Sequence, residues 1–165
     1  MSNLTRRALL KAKFRAPQQA IRLPWVLNEE QFTDGCTRCH DCVTACPENI
    51  IIKGDGGFPE INFNKGECTF CTDCVKSCSE NLFYPVEEVP WSLKAQVTEA
   101  CFTNKKVVCV VCKEQCEVEA LKFTPKVGGV MDIELALELC TGCGACAKPC
   151  PANAIQFNYI NEFEH

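Results

Sequence analysis

Sixteen of the 165 residues are cysteine, and they fall into four groups of four with a repeated spacing. Groups one, two and four follow the pattern C-x₂-C-x₂-C-x₃-C, in the segments CTRCHDCVTAC, CTFCTDCVKSC and CTGCGACAKPC. Group three, CFTNKKVVCVVCKEQC, has the same pattern with five residues inserted after its first cysteine. No cysteine lies outside the four groups. This repeat constrains the fold more than any other feature of the chain.

The spacing is the one with which bacterial two-cluster ferredoxins hold [4Fe–4S] clusters. Three cysteines at positions i, i+3 and i+6 wrap around one cluster, and the fourth cysteine ligates the other cluster of the pair. The pattern therefore predicts four [4Fe–4S] clusters, and we number their sites by the group that supplies three ligands. The predicted ligands are Cys36, Cys39, Cys42 and Cys78 for site one; Cys68, Cys71, Cys74 and Cys46 for site two; Cys101, Cys109, Cys112 and Cys150 for site three; and Cys140, Cys143, Cys146 and Cys116 for site four.

Other uses of cysteine fit this pattern less well. Zinc ribbons use paired C-x₂-C units, so a third cysteine three residues further on is surplus to a tetrahedral site. A disulfide framework needs an oxidising compartment, and repeated triplets of closely spaced cysteines make a poor one. Iron–sulfur ligation is therefore the prediction. Site three, with its stretched spacing, is the site expected to be most labile or to depart from a [4Fe–4S] cluster.

Each pair of groups is expected to form one small unit. The stretch between the groups of a pair predicts a β-hairpin, in NIIIKGDGGFPEINF and again in ALKFTPKVGGVMDI, and AIQFNYI predicts a final strand. Short helices are predicted to begin near the fourth cysteine of each group. The predicted fold class is α+β, with two tandem bacterial 2[4Fe–4S] ferredoxin-like units at residues 30–85 and 100–160 and a proline-containing linker at 86–99. Units of this size need the clusters for much of their folding free energy.

Charge is unevenly distributed along the chain. The formal net charge is −4, but the first 28 residues carry six basic side chains and no acidic one. Residues 1–28 are therefore predicted to be a basic N-terminal arm, which either docks on a partner or membrane surface or is a solvated tail. Trp25 and Trp91 are expected to anchor the arm and the linker to the units.

The start of the chain bears on its compartment. Thr5 to Lys11, TRRALLK, resembles a twin-arginine export motif. The residues that follow are polar and basic, whereas an export signal continues with an apolar stretch of about 7–15 residues. We therefore expect the protein to stay in the cytoplasm, where thiols are reduced and available to metals.

The remaining motifs argue against a catalyst. The chain has no phosphate-binding glycine loop, and no Ser/His/Asp or Cys/His constellation can be recognised. Ligation by four cysteines leaves no open iron position for a small-molecule substrate. An acidic body behind a short basic segment also does not indicate nucleic-acid binding. The prediction is an electron-transfer or accessory iron–sulfur protein that is not itself an enzyme.

Several features together resemble the NapF family of ferredoxin-type proteins, which accompany the periplasmic nitrate reductase of bacteria. They are the four cysteine groups, the stretched third group, the Arg-Arg start, and the segments IRLPW and GGFPEINF. The resemblance implies a cytoplasmic four-cluster protein that contacts the catalytic subunit of that reductase before its export. Its implied role is in maturation of the subunit or in supplying it with electrons. A general polyferredoxin that feeds a membrane or soluble oxidoreductase stays open as the alternative.

Overall fold

The computed structural model describes residues 20–127, 129 and 131–160, and it has the mixed α+β character that the sequence predicts. Within these residues, three two-stranded antiparallel sheets pair β1 (Ile51–Lys53) with β2 (Pro59–Ile61), β3 (Leu93–Val97) with β6 (Ile155–Tyr159), and β4 (Leu121–Pro125) with β5 (Met131–Leu135). In the described part no helix is both long enough and apolar enough to span a bilayer. In chain order the elements are α1 (Glu29–Gly35), α2 (Asp41–Ala45), β1 (Ile51–Lys53), a 3₁₀ turn (Asp55–Gly57), β2 (Pro59–Ile61), α3 (Asp73–Lys76), β3 (Leu93–Val97), α4 (Val111–Glu114), β4 (Leu121–Pro125), β5 (Met131–Leu135) and β6 (Ile155–Tyr159).

The two predicted hairpins are present. In the first unit Ile51 pairs with Ile61, and both side chains are buried. In the second unit Leu121 pairs with Leu135 in the longer hairpin of β4 and β5. The predicted final strand is β6. Short apolar runs separated by a glycine-containing turn were sufficient to locate these elements.

The segment predicted as a linker contains a strand. β3 lies inside residues 86–99 and pairs with β6, from Leu93 opposite Tyr159 to Val97 opposite Ile155. Leu93 is fully buried, whereas Gln96 is exposed, as the alternation of a strand requires. This strand was not predicted, because prolines at 85 and 90 favour a segment without regular structure. The boundary between the two units stays a prediction.

The last part of the predicted arm packs against the folded body. Residues 20–28 pack on the first unit, and Leu23 and Trp25 are buried. The Trp25 amide donates to the Pro90 carbonyl at 2.7 Å, and the Ile61 amide donates to the Ile21 carbonyl at 2.7 Å. These residues therefore belong to the folded body. Residues 1–19, where any arm must begin, lie outside the described part of the chain.

The short helices end before the fourth cysteine of a group and do not begin there. α2 ends at Ala45, and Cys46 has extended backbone angles of φ −74° and ψ 112°. Pro47 follows, and a residue before proline is sterically disfavoured in the helical region. α3 and α4 likewise precede Cys78 and Cys116. The prediction therefore placed the first residue of each helix too far along the chain.

Candidate metal centres

The cysteines of site one line a single cavity. Cys36, Cys39 and Cys42 come from group one, and Cys78 comes from group two. Apolar side chains, including the buried Phe32, line part of the cavity. Burial, followed by the charges of the other three thiols, raises the pKa of Cys42 to about 11. The structure therefore brings together the four residues that the spacing assigned to this site.

Site two has the same construction. Its cavity is lined by Cys68, Cys71 and Cys74 of group two and by Cys46 of group one. Burial is the main cause that raises the pKa of both Cys68 and Cys74 to about 12. Phe70 lines this cavity and packs edge-on against Trp91, with ring centroids 5.7 Å apart. The aromatic ring shields the cavity from water, as expected for an aromatic residue between two ligands.

Site four repeats the arrangement in the second unit. Its cavity is lined by Cys140, Cys143 and Cys146 of group four and by Cys116 of group three. Burial raises the pKa of Cys146 to about 12. The Ala120 amide donates a 3.3 Å hydrogen bond to the Cys116 sulfur. Hydrogen bonds of this kind stabilise thiolate charge and are one of the ways in which a protein tunes an iron–sulfur site.

Site three assembles despite its stretched motif. The pKa of Cys112 is raised to about 11 by burial and then by the charges of Cys101, Cys150 and Cys109. The inserted loop is closed by the buried Thr103, whose hydroxyl donates to the Cys109 carbonyl at 2.9 Å. The insertion thus returns the chain to the position from which the rest of the motif continues.

Three of the cysteine loops share an alternating left-handed backbone. The residues two and four positions after the first cysteine have positive φ in each of them, which places successive amides in the alternation that forms anion-binding nests. Group three does not show this alternation. The residues and φ angles are Arg38 (60°) and His40 (69°), Phe70 (53°) and Thr72 (67°), and Gly142 (74°) and Gly144 (88°).

Of these six residues, only the two glycines are of a type that by itself indicates a positive φ. The other four residues stand at the same offsets from the first cysteine as the two glycines. An alignment of groups one, two and four would therefore have identified these positions, which are Arg38, His40, Phe70 and Thr72. A non-glycine residue in this region carries a conformational cost, and such a cost persists where the surrounding structure fixes the backbone.

The cavities fit a cluster rather than a single ion. Each cavity is lined by four cysteines, three from one group and one from its partner group. Within residues 20–127, 129 and 131–160, no three His, Cys, Asp or Glu side chains approach one another closely enough to hold one metal ion. All sixteen thiols are free of disulfides. Four thiols around an apolar cavity match the four iron corners of a [4Fe–4S] cluster, although the ligand sets themselves stay a prediction.

Comparison with known proteins agrees with this chemistry. A model of the 4Fe-4S dicluster domain matches residues 35–83, and a model of the 4Fe-4S binding domain matches residues 134–156. The ferredoxin-type protein NapF of Haemophilus influenzae is 41% identical over 174 residues, which cover 99% of each chain. The chain belongs to the NapF family of ferredoxin-type proteins. It is thus an iron–sulfur protein of the ferredoxin type, with two small α+β ferredoxin-like units.

Other relatives show how far this similarity extends. NapF of Escherichia coli K12 is 40% identical over 157 residues, which cover 95% of this chain and 96% of that protein. The methylamine utilization ferredoxin-type protein MauM of Methylorubrum extorquens is 26% identical over 168 residues, which cover 91% of this chain and 76% of MauM. The similarity to the two NapF proteins is therefore close and covers nearly the whole chain.

Proposed function

We propose that the protein carries four [4Fe–4S] clusters and transfers single electrons, without being an enzyme itself. The observation that supports this most strongly is the composition of three cavities, each ringed by three cysteines of one group and one of its partner group. A [4Fe–4S] cluster held in such a cavity supplies a one-electron redox couple. Four thiolates satisfy all of its irons and leave no position for a substrate.

The protein's own residues exclude water and fix the ligands. The pKa values of about 11 to 12 at the buried thiols show that the metal-free cavities strongly disfavour charge. Iron compensates for that cost by binding the thiolate form, so cluster binding contributes to folding free energy. Cys74 and Cys146 are buried, whereas Cys39 and Cys71 are exposed. Solvent exposure is one of the factors that set the reduction potential.

Membership in the NapF family supports a place in the periplasmic nitrate reductase system. In this proposal the protein acts in the cytoplasm on the catalytic subunit before its export, either in maturation of that subunit or by supplying it with electrons. Docking through the basic N-terminal segment is part of the proposal. The packing of residues 20–28 restricts that segment to residues 1–19, which carry Arg6, Arg7, Lys11, Lys13 and Arg15.

The second candidate is a general polyferredoxin that feeds a membrane or soluble oxidoreductase. The similarity to MauM over 91% of this chain favours keeping it, because that relative is named for methylamine utilization and not for nitrate. Cluster-binding cavities serve either role, so the site alone does not separate them.

The deciding experiment uses a strain that lacks this protein. Its periplasmic nitrate reductase is purified and assayed with an artificial dye donor, which bypasses the native electron chain. Loss of dye-linked activity together with loss of iron from the enzyme supports maturation. Normal dye-linked activity with slow nitrate respiration supports electron supply. Normal behaviour in both assays contradicts the proposed place in the nitrate reductase system.

A further inference from the structure

Two cysteine loops from different halves of the chain are joined by a backbone hydrogen bond. The first half holds cysteine groups one and two, and the second half holds groups three and four. The amide of Cys68 donates to the carbonyl of Cys143 at 2.7 Å. Cys68 lines the cavity of site two, and Cys143 lines the cavity of site four. The walls of the two cavities therefore meet at this bond, although 75 residues separate them in sequence.

Buried aromatic rings close the same junction. Phe63, from the first half, packs against Phe157 of β6 with ring centroids 4.5 Å apart, and against Trp91 at 6.3 Å. All three side chains are at least nine-tenths buried. Contacts of this kind between large apolar side chains show that the halves share one core at this point.

Gly144 shows how closely the halves approach. It has φ +88° on the loop of site four, and a Cβ placed there would overlap the ring of Phe63. Glycine is therefore required at this position both by backbone conformation and by the space that the first half leaves. Because position 144 has no room for a side chain, the two halves must fit together closely at this point.

We propose that this junction arranges the four cysteine sites as one series, in the order one, two, four, three. Sites one and two are already linked because groups one and two exchange their fourth cysteines, and the same holds for sites three and four. The Cys68–Cys143 bond then makes sites two and four the inner pair. This inference rests on the proposed function, in which each site holds a [4Fe–4S] cluster.

The order has a consequence for how the protein meets its partners. In such a series the ends are site one in the first half and site three in the second half. An electron that a one-electron donor gives up at one end, and that an acceptor takes up at the other, crosses the junction between Cys68 and Cys143. Two independent two-cluster units would instead exchange electrons with partners separately.

The first test compares magnetic coupling in two variants of the full-length holoprotein. Cys39→Ala with Cys109→Ala removes a ligand from each outer site, and Cys71→Ala with Cys140→Ala removes one from each inner site. Each variant keeps one intact site per half, so any coupling left between intact sites crosses the junction. After full reduction, the first variant is expected to give an interaction-broadened, fast-relaxing electron paramagnetic resonance spectrum, and the second the spectrum of isolated spins. Isolated spins in the first variant would overturn the proposal.

A second measurement covers the case in which these variants lose their iron. Hydrogen exchange of the wild-type holoprotein is expected to show a protected Cys68 amide. Gly144→Ala pushes against Phe63 and is expected to make that amide exchange about tenfold faster. Gly57→Ala is the control, because Gly57 has a similar φ of +81° but lies outside the junction, where an added Cβ makes only an ordinary contact with Arg38. An unprotected Cys68 amide in the wild type overturns the junction.

Iron and sulfide analysis of the wild type separates this inference from the proposed function. About sixteen irons per chain supports four [4Fe–4S] sites. About eight irons contradicts the four-cluster proposal, and with it the series of four, even when the Cys68 amide is protected. About sixteen irons with an unprotected amide leaves the proposed function standing and contradicts only the order of the sites.

Discussion

The indole nitrogen of Trp91 donates a 2.8 Å hydrogen bond to the carbonyl of Thr141, on the loop between Cys140 and Cys143. Trp91 thereby fixes the loop of site four from the segment that precedes β3. Trp91→Phe removes this bond and part of a buried ring, so we expect the free energy of unfolding to fall by about 2 kcal/mol. Iron should also be lost faster to a chelator. Urea unfolding and the rate of iron release measure the two effects.

A matched control lies seven residues earlier in the same segment. The Tyr84 hydroxyl donates to the Val89 carbonyl at 2.7 Å, away from any cysteine loop. Tyr84→Phe removes one aromatic hydrogen bond and should leave iron release unchanged. Equal iron release from the Trp91 and Tyr84 variants would show that the Trp91 bond does not support site four.

The cysteine spacing predicted which thiols come together, because each loop is short and its geometry is local. Each of the three cavities is lined by the four cysteines that the spacing assigned to its site. The hairpins were predictable for the same reason. By contrast, β3 pairs with β6 across about 60 residues, and no local pattern specifies such a partner.

The charge pattern placed residues 20–28 in a basic arm, whereas Leu23 and Trp25 of this segment are buried in the folded body. Arg22 was counted as part of a basic arm, but its guanidinium lies 5.3 Å from the ring centre of Phe32 and 5.8 Å from that of Phe58. It also makes two hydrogen bonds to Glu29, at 2.8 Å and 2.6 Å. An arginine can be charged and still be part of the folded body, because its guanidinium stacks on aromatic faces and pairs with a carboxylate.

Two truncations test where the folded body begins. Removal of residues 1–28 takes the buried Leu23, Pro24 and Trp25 from the core. Truncating a single buried aromatic side chain costs about 3–5 kcal/mol, so this deletion is expected to abolish cooperative unfolding and iron retention. Removal of residues 1–19 leaves these contacts in place and should retain both. Thermal unfolding and iron content are measured.

The shorter truncation also tests the docking proposal. If residues 1–19 dock on the catalytic subunit of nitrate reductase, the shorter truncation keeps its iron and loses affinity for that purified subunit. Replacing the five basic residues of this segment with glutamine should have the same effect at low salt. Unchanged affinity in both proteins would contradict the docking role while leaving the electron-transfer proposal intact.

The left-handed backbone of Thr72 offers a stabilising substitution. Thr72 has φ 67°, and a β-branched residue is strained in that region. Asparagine tolerates this conformation better, so Thr72→Asn should raise the free energy of unfolding by about 1 kcal/mol. Thr69→Asn is the control in the same loop, where φ is not positive, and its effect should stay within about 0.5 kcal/mol. A destabilised Thr72 variant would show that the side chain has a role in site two.

The raised thiol pKa values predict that iron uptake depends on pH. Burial raises the pKa of Cys68, Cys74 and Cys146 from 9.0 to about 12, so these thiols are protonated in the metal-free protein at neutral pH. Iron binds the thiolate form, and each of these thiols must release its proton on binding. Raising the pH therefore favours binding. We expect tighter iron uptake at about pH 8 than at about pH 6, with proton release detectable in a weakly buffered titration.

A control variant tests whether this pH dependence comes from the thiols. The His40 imidazole lies 2.9 Å from the Gly57 carbonyl, on the loop of site one. His40→Asn removes this imidazole and keeps a residue that tolerates the left-handed backbone. Because the thiols are the source of the released protons, the pH dependence should survive this substitution. A dependence that disappears with His40, or uptake that is equal at both pH values, would show that thiol ionisation does not control cluster binding.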